Sequence, residues 1–182
     1  TPRNFNMPGL LWYPTRIAIG LRKPNRPILG SEFAGVVEAT GKDVTRFKSG
    51  DAVMGYRGMN FGANAEYVSV PEKSVIVHKP ANLSDAEACT LPYGGMIALG
   101  LLRKMDIQPG QKVLINGASG GIGAAAVQIA KHVYGAEVTA VCGAQRHEYV
   151  KALGADHVID YKTDDFTQGS VRYDRVLDVL GR

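Results

Sequence analysis

The sequence predicts an α/β chain whose first half is β-rich and whose second half is part of a doubly wound parallel sheet. Three observations carry this. Residues 112–135, KVLINGASGGIGAAAVQIAKHVYG, pass from a short apolar run through a glycine-rich turn into a helix with an apolar stripe. Strand and helix patterns then alternate to the end of the chain. Before residue 82 the texture is different: short apolar runs broken by Gly, Pro and Asp. Alternating segments imply parallel strands with helical crossovers, and closely spaced short strands imply a small barrel or sandwich.

Residues 1–29 are rich in Pro and Arg and have no clear period; Trp12, Tyr13 and Ile17 are candidates to cover a core. Residues 33–39 read as a strand, followed by a turn at Thr40-Gly41-Lys42-Asp43. A second turn, Ser49-Gly50-Asp51, leads into the strand Ala52-Val53-Met54. Residues 65–70 and 75–77 follow as strands, with Pro71 and Pro80 at their ends. Ser84 and Glu87 form a capping box, so a helix should start near Asp85. Pro92 and Gly94-Gly95 should interrupt it, and a second helical piece should run to about Lys104. The change of texture puts a domain seam in this stretch, dividing residues 1–90 from 91–182.

Pro109-Gly110 then turns into Val113-Leu114-Ile115, the pattern of a strand buried on both faces. Ile122, Ala125, Ala126, Ile129, Ala130 and Val133 fall on one helical stripe that should face a sheet. Residues 137–141 read as a strand, 145–153 as a helix closed by Gly154, 157–159 as a third strand and 175–179 as a fourth. A full sheet of this kind has about six strands. The sequence is therefore expected to be incomplete at both ends.

Bulk properties exclude several classes. With 45% hydrophobic and 21% charged residues, the composition is that of an ordinary globular protein. No apolar run approaches the ~20 residues that cross a bilayer. The net charge of +4 is mild. Its one cluster, Arg16, Arg22, Lys23 and Arg26, is broken by prolines and accompanied by no nucleic-acid recognition motif. Cys89 and Cys142 give neither a disulfide framework nor a metal-binding spacing, which suits a reducing, cytoplasmic setting.

A strand, a glycine turn and a helix in that order make a phosphate-binding device. The free N–H groups and the positive end of the helix dipole face the turn, and glycine lets a pyrophosphate approach the backbone. Ser119, Gly120, Gly121, Ile122 and Gly123 are the predicted dinucleotide contacts. The run Ala118 to Gly123 departs from the usual G-x-G-x-x-G in that its first glycine is alanine.

In order and spacing, Gly30-Ser31-Glu32-Phe33-Ala34-Gly35-Val36-Val37, Gly50-Asp51-Ala52-Val53, Ala65-Glu66-Tyr67-Val68, the stretch from Asn116 to Gly123, and Leu153-Gly154-Ala155-Asp156-His157-Val158-Ile159-Asp160-Tyr161 resemble the medium-chain dehydrogenase/reductase superfamily. The resemblance is closest to the zinc-free quinone oxidoreductase branch, which includes zeta-crystallin-like NADPH:quinone reductases. It implies a GroES-like barrel followed by a Rossmann domain. Where the zinc alcohol dehydrogenases carry a histidine zinc ligand, this chain has Ser31, and their cluster of four cysteines is absent. His78, His132, His147 and His157 are scattered over unrelated segments, so no metal is predicted.

The resemblance also bears on the cofactor. Residues 141–146 read Val-Cys-Gly-Ala-Gln-Arg, with no acid to accept from a ribose 2′-hydroxyl. Cys142 and Arg146 are placed at the adenosine end, and Arg146 matches positions that face the NADPH 2′-phosphate; otherwise it is an exposed arginine at a helix start. Tyr161 either flanks the adenosine or caps the third strand. Ile97 stands where the family often has a Thr touching nicotinamide. Asp178 to Gly181 resembles a stretch passing near the nicotinamide; otherwise Asp178 simply ends a strand. The expected activity is NADPH-dependent hydride transfer to a quinone or activated alkene without zinc, in a homodimer. The competing expectations are an alcohol dehydrogenase or enoyl reductase of the same superfamily, and a non-catalytic nucleotide-binding or interaction fragment. No catalytic residue is assigned: Tyr56 and Tyr93 are either hydrogen-bond donors or pocket lining.

Overall fold

The structure, a computed structural model, describes Tyr13, Ile17, Gly20, Lys23 and residues 25–181. The expectation that Trp12 covers a core lies outside the described residues; Tyr13 and Ile17 are exposed. The chain divides into two compact units, Thr1–Cys89 and Thr90–Arg182.

In the first unit, β1 (Glu32–Val36), β2 (Ala52–Tyr56) and β3 (Val75–His78) form an antiparallel sheet in that order. Phe33, Val53 and Ile76 point to one face and bury there with Phe47. Val44, Ala63, Val68 and Val70 pack against this cluster. The first strand is shorter than the sequence suggests: its backbone pairing stops at Val37, and the Glu38 carbonyl accepts the Ser49 hydroxyl (2.8 Å). Residues 65–70 are not a strand. Val68 and Val70 are half-buried against the aromatic cluster, while the Ser69 carbonyl accepts from the Arg57 guanidinium. The alternation there reports burial, not a ladder.

A short helix, α1 (Asp85–Ala88), starts where the capping box places it. Ser84 Oγ accepts from Glu87 N–H (3.3 Å) and the Glu87 carboxylate accepts from Ser84 N–H (2.9 Å). The Ser84 hydroxyl, which donates to the same carboxylate (2.7 Å), and then the Ser84 N–H hold the Glu87 carboxyl below its ordinary value.

The second unit opens with α2 (Leu91–Met105) and continues through β4 (Lys112–Asn116), α3 (Gly121–His132), β5 (Glu137–Cys142), α4 (His147–Ala152), β6 (His157–Asp160) and β7 (Arg175–Asp178). α1 and α2 are two separate pieces, as the sequence predicts, and the break falls just before Pro92. Pro92 sits in the first turn of α2, where its missing N–H has no helical partner to lose, and the helix runs on through Gly94-Gly95. The four strands are parallel, in the order β6-β5-β4-β7. This is the 3-2-1-4 order of a doubly wound sheet, which reverses direction between β4 and β7.

Val113, Leu114 and Ile115 are at most 1% exposed, as a strand covered on both faces must be. Ala98 and Leu102 from α2, Ala126, Val127 and Ala130 from α3, and Val150 from α4 cover Val113, Ile115, Val138 and Ala140. The buried face of α3 is rotated from the predicted stripe: Gly123, Ala124, Ala126, Val127 and Ala130 are buried, and Val133 is exposed. The reason is that α3 packs against both the sheet and α2, so small residues on two of its sides are covered. The helix expected over 145–153 begins as a 3-10 turn, Ala144–Arg146, closed by Arg146 N–H to the Gly143 carbonyl (2.9 Å), before α4 proper.

Asp156 ties this unit together at the amino ends of its strands. It accepts from Val138 N–H (2.8 Å) and from Lys131 Nζ. Burial alone would raise its carboxyl, but the Lys131 and Val138 bonds and the Lys131 charge together hold it below its ordinary value. A lowered carboxyl stabilises the fold above the unfolded-state value and loses that contribution as pH falls through the folded one. Asp156→Asn should therefore cost about 1 kcal/mol near neutral pH. The difference from wild type should close below about pH 4 in urea unfolding curves.

Candidate functional site

The candidate site is the turn between β4 and α3. Gly117 takes a left-handed φ of 80° that an L side chain resists. This folds the chain back so that Gly117 and Ala118 N–H both donate to the Val141 carbonyl of β5 (3.2 and 3.1 Å). Gly120 N–H then closes onto the Gly117 carbonyl (3.1 Å). The first helical bond of α3 is Ala124 N–H to the Gly120 carbonyl (2.7 Å). The amides of Gly121, Ile122 and Gly123 precede that bond, and the N-cap Gly120 has no side chain to satisfy them.

Two glycines here have opposite duties. A Cβ on Gly123 would lie 2.2 Å from the Gly117 carbonyl oxygen and 2.7 Å from Ala118 Cα, so the helix can seat on the turn only through glycine. A Cβ on Gly121 would meet nothing within 4 Å, and Gly121 is exposed. Open space lies in front of the helix end, and contact lies behind it. Ser119 and Ile122 are half-buried beside it. The helix dipole is unopposed at this end: the first turn of α3 has no acidic residue, and Lys131 and His132 are in its last turn.

The turn stands at the carboxyl ends of the strands, where the sheet reverses between β4 and β7. That is where open α/β sheets bind ligands. The β7 side is closed by a buried amide: Asn116 Nδ2 donates to Asp178 Oδ1 (2.9 Å).

At the end of β5, Cys142 points into the core and is 2% exposed. Burial and then the Asp160 charge push its thiol up. Only its backbone can face a ligand. Gly143 is beside the Tyr161 ring; a Cβ there would sit 3.7 Å from it. Tyr161 is itself 57% exposed. The Arg146 side chain is exposed and makes no hydrogen bond or ion pair with a described residue. Asp160, opposite Cys142 in the register, places a carboxylate at the neighbouring strand end and uses it to accept from Lys162 N–H (3.0 Å). Tyr93 and Ile97 are on α2, whereas Tyr56 is on β2 of the other unit.

Two family models match. Residues 12–81 match the alcohol dehydrogenase GroES-like domain, and residues 121–181 match a model described as zinc-binding dehydrogenase. The chain is 38% identical to a 2-methylene-furan-3-one reductase of Solanum lycopersicum, over 87% of this chain and 43% of that protein. It is 35% identical to an NADPH-dependent alkenal/one oxidoreductase, chloroplastic, of Arabidopsis thaliana, over the same shares, 87% and 43%. The crystallised quinone oxidoreductase of Coxiella burnetii matches with a TM-score of 0.72 and 32% identity, over 87% of this chain and 50% of that one. The chain belongs to the medium-chain dehydrogenase/reductase superfamily. It spans 43% of the length of both curated relatives.

A member of this superfamily combines a GroES-like first part with a parallel Rossmann-like sheet, and its oxidoreductase chemistry implies a nicotinamide cofactor. The residues present fit the diphosphate of such a cofactor, since Gly121 leaves open space in front of unbonded helix amides. Among the described residues no group of three His, Cys, Asp or Glu could hold a metal ion. His78 packs on Phe47 with ring centres 5.1 Å apart, and His157 is 3.0 Å from the Glu137 carboxylate. His132 ends α3, and His147 starts α4. No helix among the described residues is long and apolar enough to cross a membrane.

Sequence reasoning placed Gly117 in the glycine turn without giving it a role, and missed one further feature of this site. Gly117, one residue before the expected pattern, makes the tight turn that the substituted Ala118 cannot, and Ala118 is wholly buried instead. The glycine preceding the motif was the available signal. The Asn116–Asp178 bond joins residues 62 apart and left no local signal.

Gly123→Ala should destabilise the chain by about 1–3 kcal/mol through overpacking. Gly121→Ala should leave the melting temperature almost unchanged, as measured by thermal unfolding. Cys89 is half-buried, whereas the Cys142 thiol is buried and raised. Iodoacetamide near neutral pH should therefore label Cys89 in the folded chain and Cys142 only after denaturation, as read by peptide mass spectrometry.

Proposed function

We propose that the chain is the cofactor-binding and substrate-side core of an NADPH-dependent reductase of quinones or activated alkenes that works without zinc. Residues 1–90 contribute the substrate side and residues 91–182 the nucleotide side. The observation that carries this is the open helix end in front of Gly121 at the switch point of the sheet. It is supported by relatives named for quinone, alkenal and furanone reduction.

In this reading the amides of Gly121 to Gly123 and the dipole of α3 hold the diphosphate beside Gly120, with Ser119 and Ile122 shaping its approach. Arg146 pairs with the 2′-phosphate, Tyr161 covers the adenosine beside Gly143, and the Cys142 backbone lines the same end. A bound NADPH supplies the hydride. The protein's part is to align the donor and acceptor carbons and exclude water. Free thiols at Cys89 and Cys142 suit a reducing compartment such as the cytoplasm, and the full-length protein is expected to be a homodimer.

The test is a fluorescence titration of the chain with NADPH and with NADH, wild type beside Arg146→Glu. Wild type should prefer NADPH. The variant should lose that preference by about tenfold or more, with NADH binding little changed, because the 2′-phosphate then faces a carboxylate. Equal loss for both nucleotides would remove Arg146 from the phosphate site. Turnover of an alcohol with a quinone and an enone left untouched, or bound zinc in the purified full-length protein, would favour the dehydrogenase reading.

A further inference from the structure

Where the sheet reverses direction, the ends of β4 and β7 are joined by more than their ladder. Asn116 and Asp178 are register partners. Asp178 Oδ1 accepts from three donors: Asn116 Nδ2 (2.9 Å), Leu180 N–H (3.0 Å) and Gly181 N–H (3.1 Å). Val179 N–H donates to the Asn116 carbonyl (3.1 Å). One buried amide therefore holds a carboxylate, and that carboxylate holds the turn that follows β7. The turn in its turn rests on the glycine loop. A Cβ on Gly117 would lie 2.9 Å from Leu180 Cγ, so Leu180 occupies the space over the residue where the loop begins. Leu180 is still 55% exposed, so the fold's core does not require it there.

We propose that Asn116, Asp178 and Leu180 form a positioning latch that sets the β7-side wall of the diphosphate crevice. This rests on the nucleotide-binding reading above. Asn116 fixes Asp178, Asp178 fixes the backbone of residues 180 and 181, and Leu180 confines the loop at Gly117. None of the three need touch the reacting atoms. The latch acts on how tightly the dinucleotide is held and not on which one is chosen, because the 2′-phosphate lies at the β5 end of the site.

The experiment measures NADPH and NADH dissociation constants for the full chain by nucleotide fluorescence, together with melting temperatures. The variants are Asn116→Leu, which keeps shape and removes the donor; Asn116→His, whose ring nitrogen can donate from the same place; Leu180→Ala; and Val138→Ala, a core truncation at the far end of β5. Asn116→Leu should weaken both nucleotides by about tenfold, the loss of one hydrogen bond to a charged group, with their ratio unchanged. Asn116→His should recover most of that loss. Leu180→Ala should weaken both nucleotides with little change in melting temperature. Val138→Ala should lower the melting temperature and leave both constants unchanged. Unaltered binding in Asn116→Leu and Leu180→Ala, no recovery with His, or an equal loss in Val138→Ala would overturn the latch. A wild-type chain that binds neither nucleotide would instead overturn the nucleotide-binding reading itself, and the latch with it.

Discussion

Everything proposed for this chain depends on one close contact, the seat of α3 on the end of β4. The helix backbone at Gly123 meets the Gly117 carbonyl with no room for a Cβ. That contact aims the first turn of the helix, and so its unbonded amides and positive dipole end, at the point where the sheet reverses. The buried strand, the small residues of α3 and the enclosure of α3 by α2 all serve that seat. Each lets a helix come nearer to a strand than ordinary side chains permit. The open side at Gly121 follows from the same geometry, since a helix tilted onto its rear glycine presents its front to solvent.

How much of this was legible from sequence depends on whether a signal was local. Val113 to Ile115 announced a strand covered on both faces because three adjacent apolar residues have no other economical use. Ser84 and Glu87 announced their helix start because the capping bonds span only three residues. Pro92 marked the break between α1 and α2, because proline suits the first turn of a new helix, whereas Gly94-Gly95 misled: the helix runs on through them. Residues 65–70 misled for a different reason: Val68 and Val70 alternate because both reach the Phe33–Phe47 cluster, and side-chain burial imitates a strand without a ladder. The apolar stripe of α3 was drawn for one covered side, whereas the helix has two.

Within the candidate site the glycine loop was legible and its partners were not. The loop's chemistry is written in consecutive residues. The Asn116–Asp178 bond and the position of Asp160 opposite Cys142 arise from parallel strand register, which carries no mark in the chain itself. The same register explains why Cys142, at the expected place for a cofactor contact, offers only backbone: alternation along β5 sends its side chain into the core. The contrast between the exposed Arg146 side chain and the enclosed Cys142 thiol shows that positions four residues apart after one strand can differ completely in what they offer a ligand.

The most direct test of the central claim is amide chemical-shift mapping of the isotope-labelled chain during addition of NADP+. The account predicts that the largest shifts fall on the Gly120, Gly121, Ile122 and Gly123 amides, with lesser shifts at Gly143 and Arg146. Saturable binding that leaves those four amides unmoved, with the shifts concentrated on another surface, would contradict it.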